Sequence, residues 1–86
     1  MELMFNDIPI GTRVYLYQKI GNIINEKIMK YYLGSGIICS GILHNKILQV
    51  DQPSENWQYG NSTTLTPDRI KLREIKLTVE KEECDA

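Results

Sequence analysis

The sequence predicts an all-β domain, a small barrel of five or six short strands, and three observations carry that prediction. Val14 and Leu16 alternate strictly with Arg13, Tyr15, Tyr17 and Lys19, the two-residue period of a half-buried strand. The apolar stretches 37–43, 46–51 and 70–79 have strand length, and turn-forming residues fall between segments at the spacing of about 8–12 residues typical of sandwiches and barrels. Gly41 lies inside the stretch 37–43, where a bulge or bend turns a barrel corner. The chain of 86 residues is shorter than a typical domain. It is read as one domain over 1–79 with an acidic tail at 80–86. A core this thin makes a homo-oligomer the expectation.

Met4, Phe5, Ile8 and Ile10 form an apolar lead-in that docks and turns at Gly11, ahead of the strand starting at Thr12. Residues 20–33 have two readings. Ile20, Ile24, Ile28 and Tyr31 fit helical spacing, with Asn22 as N-cap and Gly34 past the C-terminus, giving a short helix at 22–33. Ile and Tyr are also strand formers, giving a hairpin turning at Asn25-Glu26-Lys27. Gly34-Ser35-Gly36 then reads as a break. Strands 37–43 and 46–51 follow, joined by a tight turn at His44-Asn45 with Asn45 suited to positive φ.

After the polar loop 52–56, Trp57-Gln58-Tyr59 reads as a short aromatic strand ended by Gly60-Asn61-Ser62. Thr66 precedes Pro67-Asp68 and can cap a single helical turn. Beyond it, Ile70 and Leu72 alternate with Lys71 and Arg73, while Ile75, Leu77 and Val79 alternate in the opposite phase. The phase change at Glu74-Ile75 reads as a bulge, and 75–79 as a strand available to a partner chain.

Ten Lys and Arg oppose eleven Asp and Glu, a formal net charge of −1, which lacks the global basicity of a phosphate-backbone binder. Four of the acids, Glu80, Glu82, Glu83 and Asp85, sit in the tail, so the body is mildly basic and a local basic face stays open. Cys39 and Cys84 read as free thiols. No basic and apolar leader and no apolar run of membrane length is present, which gives a cytoplasmic location and no membrane as the expectation.

His44 is the lone histidine, beside a turn, and forms no nucleophile–base arrangement in the sequence. Together with Cys39 and Cys84 it matches no metal-ligand spacing. Gly34-Ser35-Gly36 is not followed by the Gly-Lys-Ser or Gly-Lys-Thr of a phosphate loop. No catalysis, metal or cofactor is expected. What remains is binding: Tyr15, Tyr17, Tyr31, Tyr32, Trp57 and Tyr59 can stack a nucleotide-like ligand or pack against a protein. The candidate ligand- or partner-binding residues are Arg13, Tyr15, Tyr17, Lys19, Trp57, Tyr59, Arg69, Lys71 and Arg73.

The segment Leu65-Thr66-Pro67-Asp68-Arg69-Ile70-Lys71-Leu72 resembles the end of SH3-like small barrels, where a strand meets a proline-marked helical turn and the chain enters a last strand. The resemblance implies that fold over about residues 10–75 and a general habit of binding proteins or nucleic acids. The acidic loop and paired tyrosines of proline-peptide-binding SH3 domains are missing, so that ligand is not implied. Small size with Ile- and Lys-rich usage also looks like the accessory proteins of phages and mobile elements, many of which block a host component. The leading expectation is a non-catalytic binding module that inhibits or sequesters a host protein or small ligand. The alternative is a nucleic-acid-binding barrel, with Arg13, Lys19, Lys46, Arg69, Lys71 and Arg73 beside Tyr15, Tyr17 and Trp57 on one face.

Overall fold

The alternation at 13–16 is realised in a computed structural model of the chain: Val14 and Leu16 are fully buried, while Arg13 and Tyr15 on the opposite side are partly exposed. The structure describes residues 5–24, 27–42, 45–61 and 63–81, with the side chains of 19–24 and 27–30 left out. His44, Cys84, the turn positions 25–26 and the tail 82–86 lie outside the described residues.

After a single 3₁₀ turn at Phe5–Asp7 come strands β1 (Arg13–Ile24), β2 (Lys27–Ser40), β3 (Lys46–Pro53) and β4 (Thr64–Leu65), helix α1 (Pro67–Leu72) and strand β5 (Ile75–Thr78). They form one five-stranded antiparallel sheet in the order β4-β3-β2-β1-β5. The all-β expectation holds, with one short helix. The sheet does not close into a barrel: among the described residues β4 and β5 are its two edges, and no ladder joins them.

Between the two readings of residues 20–33 the backbone is that of the hairpin, with Ile23 paired to Ile28 and Ile24 to Lys27. The helix at 22–33 is absent because β-branched Ile and aromatic Tyr favour the ladder once β1 supplies a template. Gly34-Ser35-Gly36 does not break the chain. All three lie inside β2, paired to Leu16, Tyr15 and Val14, and the strand bends there through register shifts opposite Leu16/Tyr17 and at Ser35/Gly36. Gly34 takes φ +132, and a Cβ there would come 2.5 Å from the Gln52 carbonyl oxygen; one at Gly36 would meet the Gln49 carbonyl. The glycines let β2 bend against β3 where a side chain would block it. Gly41 follows the end of β2 instead of bending it.

Three further expectations are corrected near the C-terminus. Trp57-Gln58-Tyr59 is irregular loop, not a strand. Residues 70–73 belong to α1 and its C-cap: the Thr66 hydroxyl accepts from the Arg69 amide at 3.4 Å, Pro67 starts the helix, and Arg73 ends it. The apparent strand alternation there was helical amphipathicity, which buries Ile70 and leaves Leu72 83% exposed. The phase change at Glu74-Ile75 is therefore the junction of helix and strand, made by Glu74 at φ +55. The strand at 75–78 pairs with β1 of the same chain, from Tyr15↔Thr78 to Gln18↔Ile75.

Ile8, Val14, Leu16, Leu33, Ile38, Leu48, Val50, Leu65, Ile70, Ile75 and Leu77 form one core on the inner face of the sheet, with Phe5, Trp57 and Tyr59 packed against it. Every strand contributes to it. The Lys46 ammonium docks the N-terminal segment by donating to the carbonyls of Asn6 and Ile8 at 2.9 and 2.8 Å.

Candidate functional site

The candidate binding residues fall into two groups on different parts of the sheet. The first follows from the alternation of β1, which sets Arg13, Tyr15 and Tyr17 on the face opposite the core. Arg13 forks onto Asp51, with Nη1 donating to Oδ1 at 2.9 Å and Nη2 to Oδ2 at 2.8 Å. Nη1 also donates to the Ser35 hydroxyl at 3.1 Å, and that hydroxyl donates in turn to Gln52 Oε1 at 3.1 Å. This bidentate geometry holds the Asp51 carboxyl below its ordinary range through the guanidinium hydrogen bonds, and the same bonds raise Arg13. Arg13 is thereby a local tie across β1, β2 and β3, with its charge already matched.

Tyr17 is buried, because its ring meets Tyr32 of the paired strand with centroids 5.4 Å apart. Lys81 lies 4.8 Å above the Tyr32 ring, a cation–π contact that brings the chain after β5 over this face. Tyr15 stays half-buried between Ser35 and Thr78 in the ladders. Lys19 belongs to β1, paired with Lys30, and its side chain lies outside the described ones.

The second group gathers at the end of α1. Trp57 and Tyr59 meet edge to face at 5.1 Å and 82°, and the Trp57 indole donates to the Gly60 carbonyl at 3.1 Å. The Arg73 guanidinium sits 3.8 Å over the Tyr59 ring, with Nη1 buried and without a hydrogen-bond partner. The ring face is what compensates the buried cation. Arg69 and Lys71 are exposed on α1. Of the six cations of the nucleic-acid reading, three are engaged within the fold. Arg13 is paired with Asp51, Lys46 is bound to backbone, and Arg73 is stacked on a ring.

Sequence reasoning missed Asp51, Ser35 and Gln52, since their meeting with Arg13 depends on two strand registers. It also missed an open groove of about 580 Å³ where the β2–β3 connection faces the start of α1, lined by Ile42, Asn45, Ile47, Thr64, Pro67 and Asp68 among others. Among the described residues no cluster of His, Cys, Asp or Glu suited to a metal is formed, and no helix is long and apolar enough to cross a membrane.

β5 pairs with β1 only from Tyr15 to Gln18, and β3 pairs with β2 only from Gly34 onward. Beyond those limits β1 and β2 continue as a two-stranded ribbon over 19–24 and 27–31, bonded to each other and to no third strand among the described residues. The molecule measures 45 × 27 × 21 Å along its principal axes. Compared with protein-family models, curated proteins and solved structures, the chain gives no match.

Proposed function

We propose that this chain is a non-catalytic module that binds a protein partner through the projecting β1–β2 ribbon, on an SH3-like scaffold. The ribbon is the observation that carries the reading. A two-stranded hairpin is marginally stable alone in water, and three or more strands or a packed neighbour are needed to hold one. The strand residues 19–24 and 27–30 include Ile20, Ile23, Ile24, Ile28 and Met29, and no third described strand pairs with them. A two-stranded ribbon of apolar sequence whose edges no described strand covers is a surface for association.

The scaffold reading rests on the segment after β4. A strand running into a proline-started helical turn and then into a last strand is the connectivity the SH3-like resemblance implies. A host protein blocked by a small accessory chain is the partner this reading favours. The nucleic-acid alternative has weaker support, because three of its six cations are engaged within the fold.

The test is a shortened chain in which residues 20–29 are replaced by Asn-Gly, the two-residue turn that closes an antiparallel pair. It should keep its cooperative unfolding transition and lose whatever protein the full chain retains from cells of its source. Retention of the same protein by both chains would remove the ribbon from the binding surface.

A further inference from the structure

The ribbon also shows what kind of segment fits it. Resting on the reading above, we propose that the β2 edge at 27–31 accepts an extended, acidic segment of the partner protein as a third strand.

Two features point to an acidic strand. The first is an edge that no described strand covers, on a strand that continues from the existing sheet. The neighbouring chain follows β2 as far as Pro53, opposite Gly34, and then turns away. Its last bonds are Ser54 N–H to the Leu33 carbonyl and the Ser54 and Asn56 side chains to the Tyr32 carbonyl. From Tyr31 back to Lys27 the described pairs are with β1 alone, Tyr31 to Gln18, Lys30 to Lys19, Ile28 to Ile23 and Lys27 to Ile24, with a register shift between Lys19 and Ile23. In an antiparallel ladder alternate residues turn their N–H and C=O outward, so this stretch offers main-chain groups where β3 stops. A strand added here extends the ladder of β3 along the ribbon, the geometry of β-augmentation.

Charge is the second feature. The strand positions 19–24 and 27–30 carry Lys19, Lys27 and Lys30 and no acidic residue, with Glu26 the one acid in the sequence between them. Lys19 is the ladder partner of Lys30, and like charges directly opposite each other destabilise a pair. An acidic strand alongside relieves that repulsion, whereas a second copy of the same ribbon adds three more lysines to it. Duplex nucleic acid would also supply negative charge, but it cannot fill main-chain bonds along a sheet edge, and the chain as a whole carries net −1.

Titration of the full chain with two capped decapeptides tests this, one alternating Glu and Val and one alternating Lys and Val, followed by calorimetry and by amide chemical shifts. The Glu-Val peptide should bind, with shifts centred on 27–31, and weaken as salt is raised. The K27E/K30E variant should favour the Lys-Val peptide instead, a reversal of about tenfold or more. K27Q/K30Q, which keeps the edge open and removes both charges, should bind the two peptides alike. The proposal fails if neither peptide binds the native chain, in which case the lysines only guard an edge against aggregation. It fails equally if both peptides bind the native chain alike, or if the shifts lie elsewhere. Preference for a 20-base-pair duplex over the Glu-Val peptide also overturns it. Loss of the cellular partner on shortening the ribbon, with no peptide binding, would leave the protein-binding reading standing and remove the acidic strand alone.

Discussion

Replacing Gly34 by Ala isolates what bends β2. Two penalties combine at this position. A Cβ would stand 2.5 Å from the Gln52 carbonyl oxygen and 2.7 Å from the Pro53 Cα, both backbone atoms of β3 that cannot swing aside as a side-chain tip can. Overpacking of this kind costs about 1–3 kcal/mol. The backbone at φ +132 is also a region that residues with a Cβ rarely adopt, which costs about 1–3 kcal/mol more. The sum is about 2–6 kcal/mol, against a total stability on the order of 4–13 kcal/mol for a chain this size. Urea unfolding followed by the fluorescence of Trp57, the single tryptophan, reads the loss directly. With a slope of about 1 kcal/mol per molar, the midpoint should fall by about 2 M or more. Gly60→Ala is the matched control. Gly60 has φ +58 with nothing within 4 Å of the added carbon, so it incurs the dihedral cost alone, about 1–2 kcal/mol. If Gly34→Ala costs no more than Gly60→Ala, the close approach of β2 and β3 is not what requires the glycine.

Leu16→Ala removes a fully buried side chain from the centre of the core and should cost about 2–5 kcal/mol in the same assay; a change under about 0.5 kcal/mol, the usual range for a surface site, would take β1 out of the core. Asp51→Asn should lower stability slightly at neutral pH. Because Arg13 holds the folded-state carboxyl below its unfolded value, the native pair stabilises above the ordinary carboxylate range and loses that contribution as pH falls through the depressed value. The difference between native chain and variant should therefore shrink in acid and in high salt, and a difference that grew in acid would contradict the assignment.

The strand at β1 was legible in the sequence because alternation is a local property: Val14 and Leu16 must share a face whatever the rest of the chain does. The Thr66-Pro67 helix start was legible for the same reason, since cap and fixed φ act within four residues. The extent of α1 was not. Ile70-Lys71-Leu72-Arg73 satisfies strand alternation, and only the core contact of Ile70 with Leu72 left exposed distinguishes helix from strand. Of the candidate site, aromatics and cations could be named from composition, yet their distribution depends on register. Tyr17 is buried by its ladder partner Tyr32, and Arg13 is neutralised by an Asp 38 residues away.

By itself the sequence determined a small, charge-balanced, β-rich chain and the inward faces of its first strand and its helix start, because those follow from periods of two residues and from capping chemistry inside one turn. Tertiary structure decided that Gly34-Ser35-Gly36 bends a continuous strand, that 75–78 returns to β1, that the sheet stays open, and that a ribbon projects past its neighbours. Each of these depends on where one strand ends relative to another. That offset is set by long-range pairing and close backbone approach, which no local window of residues contains.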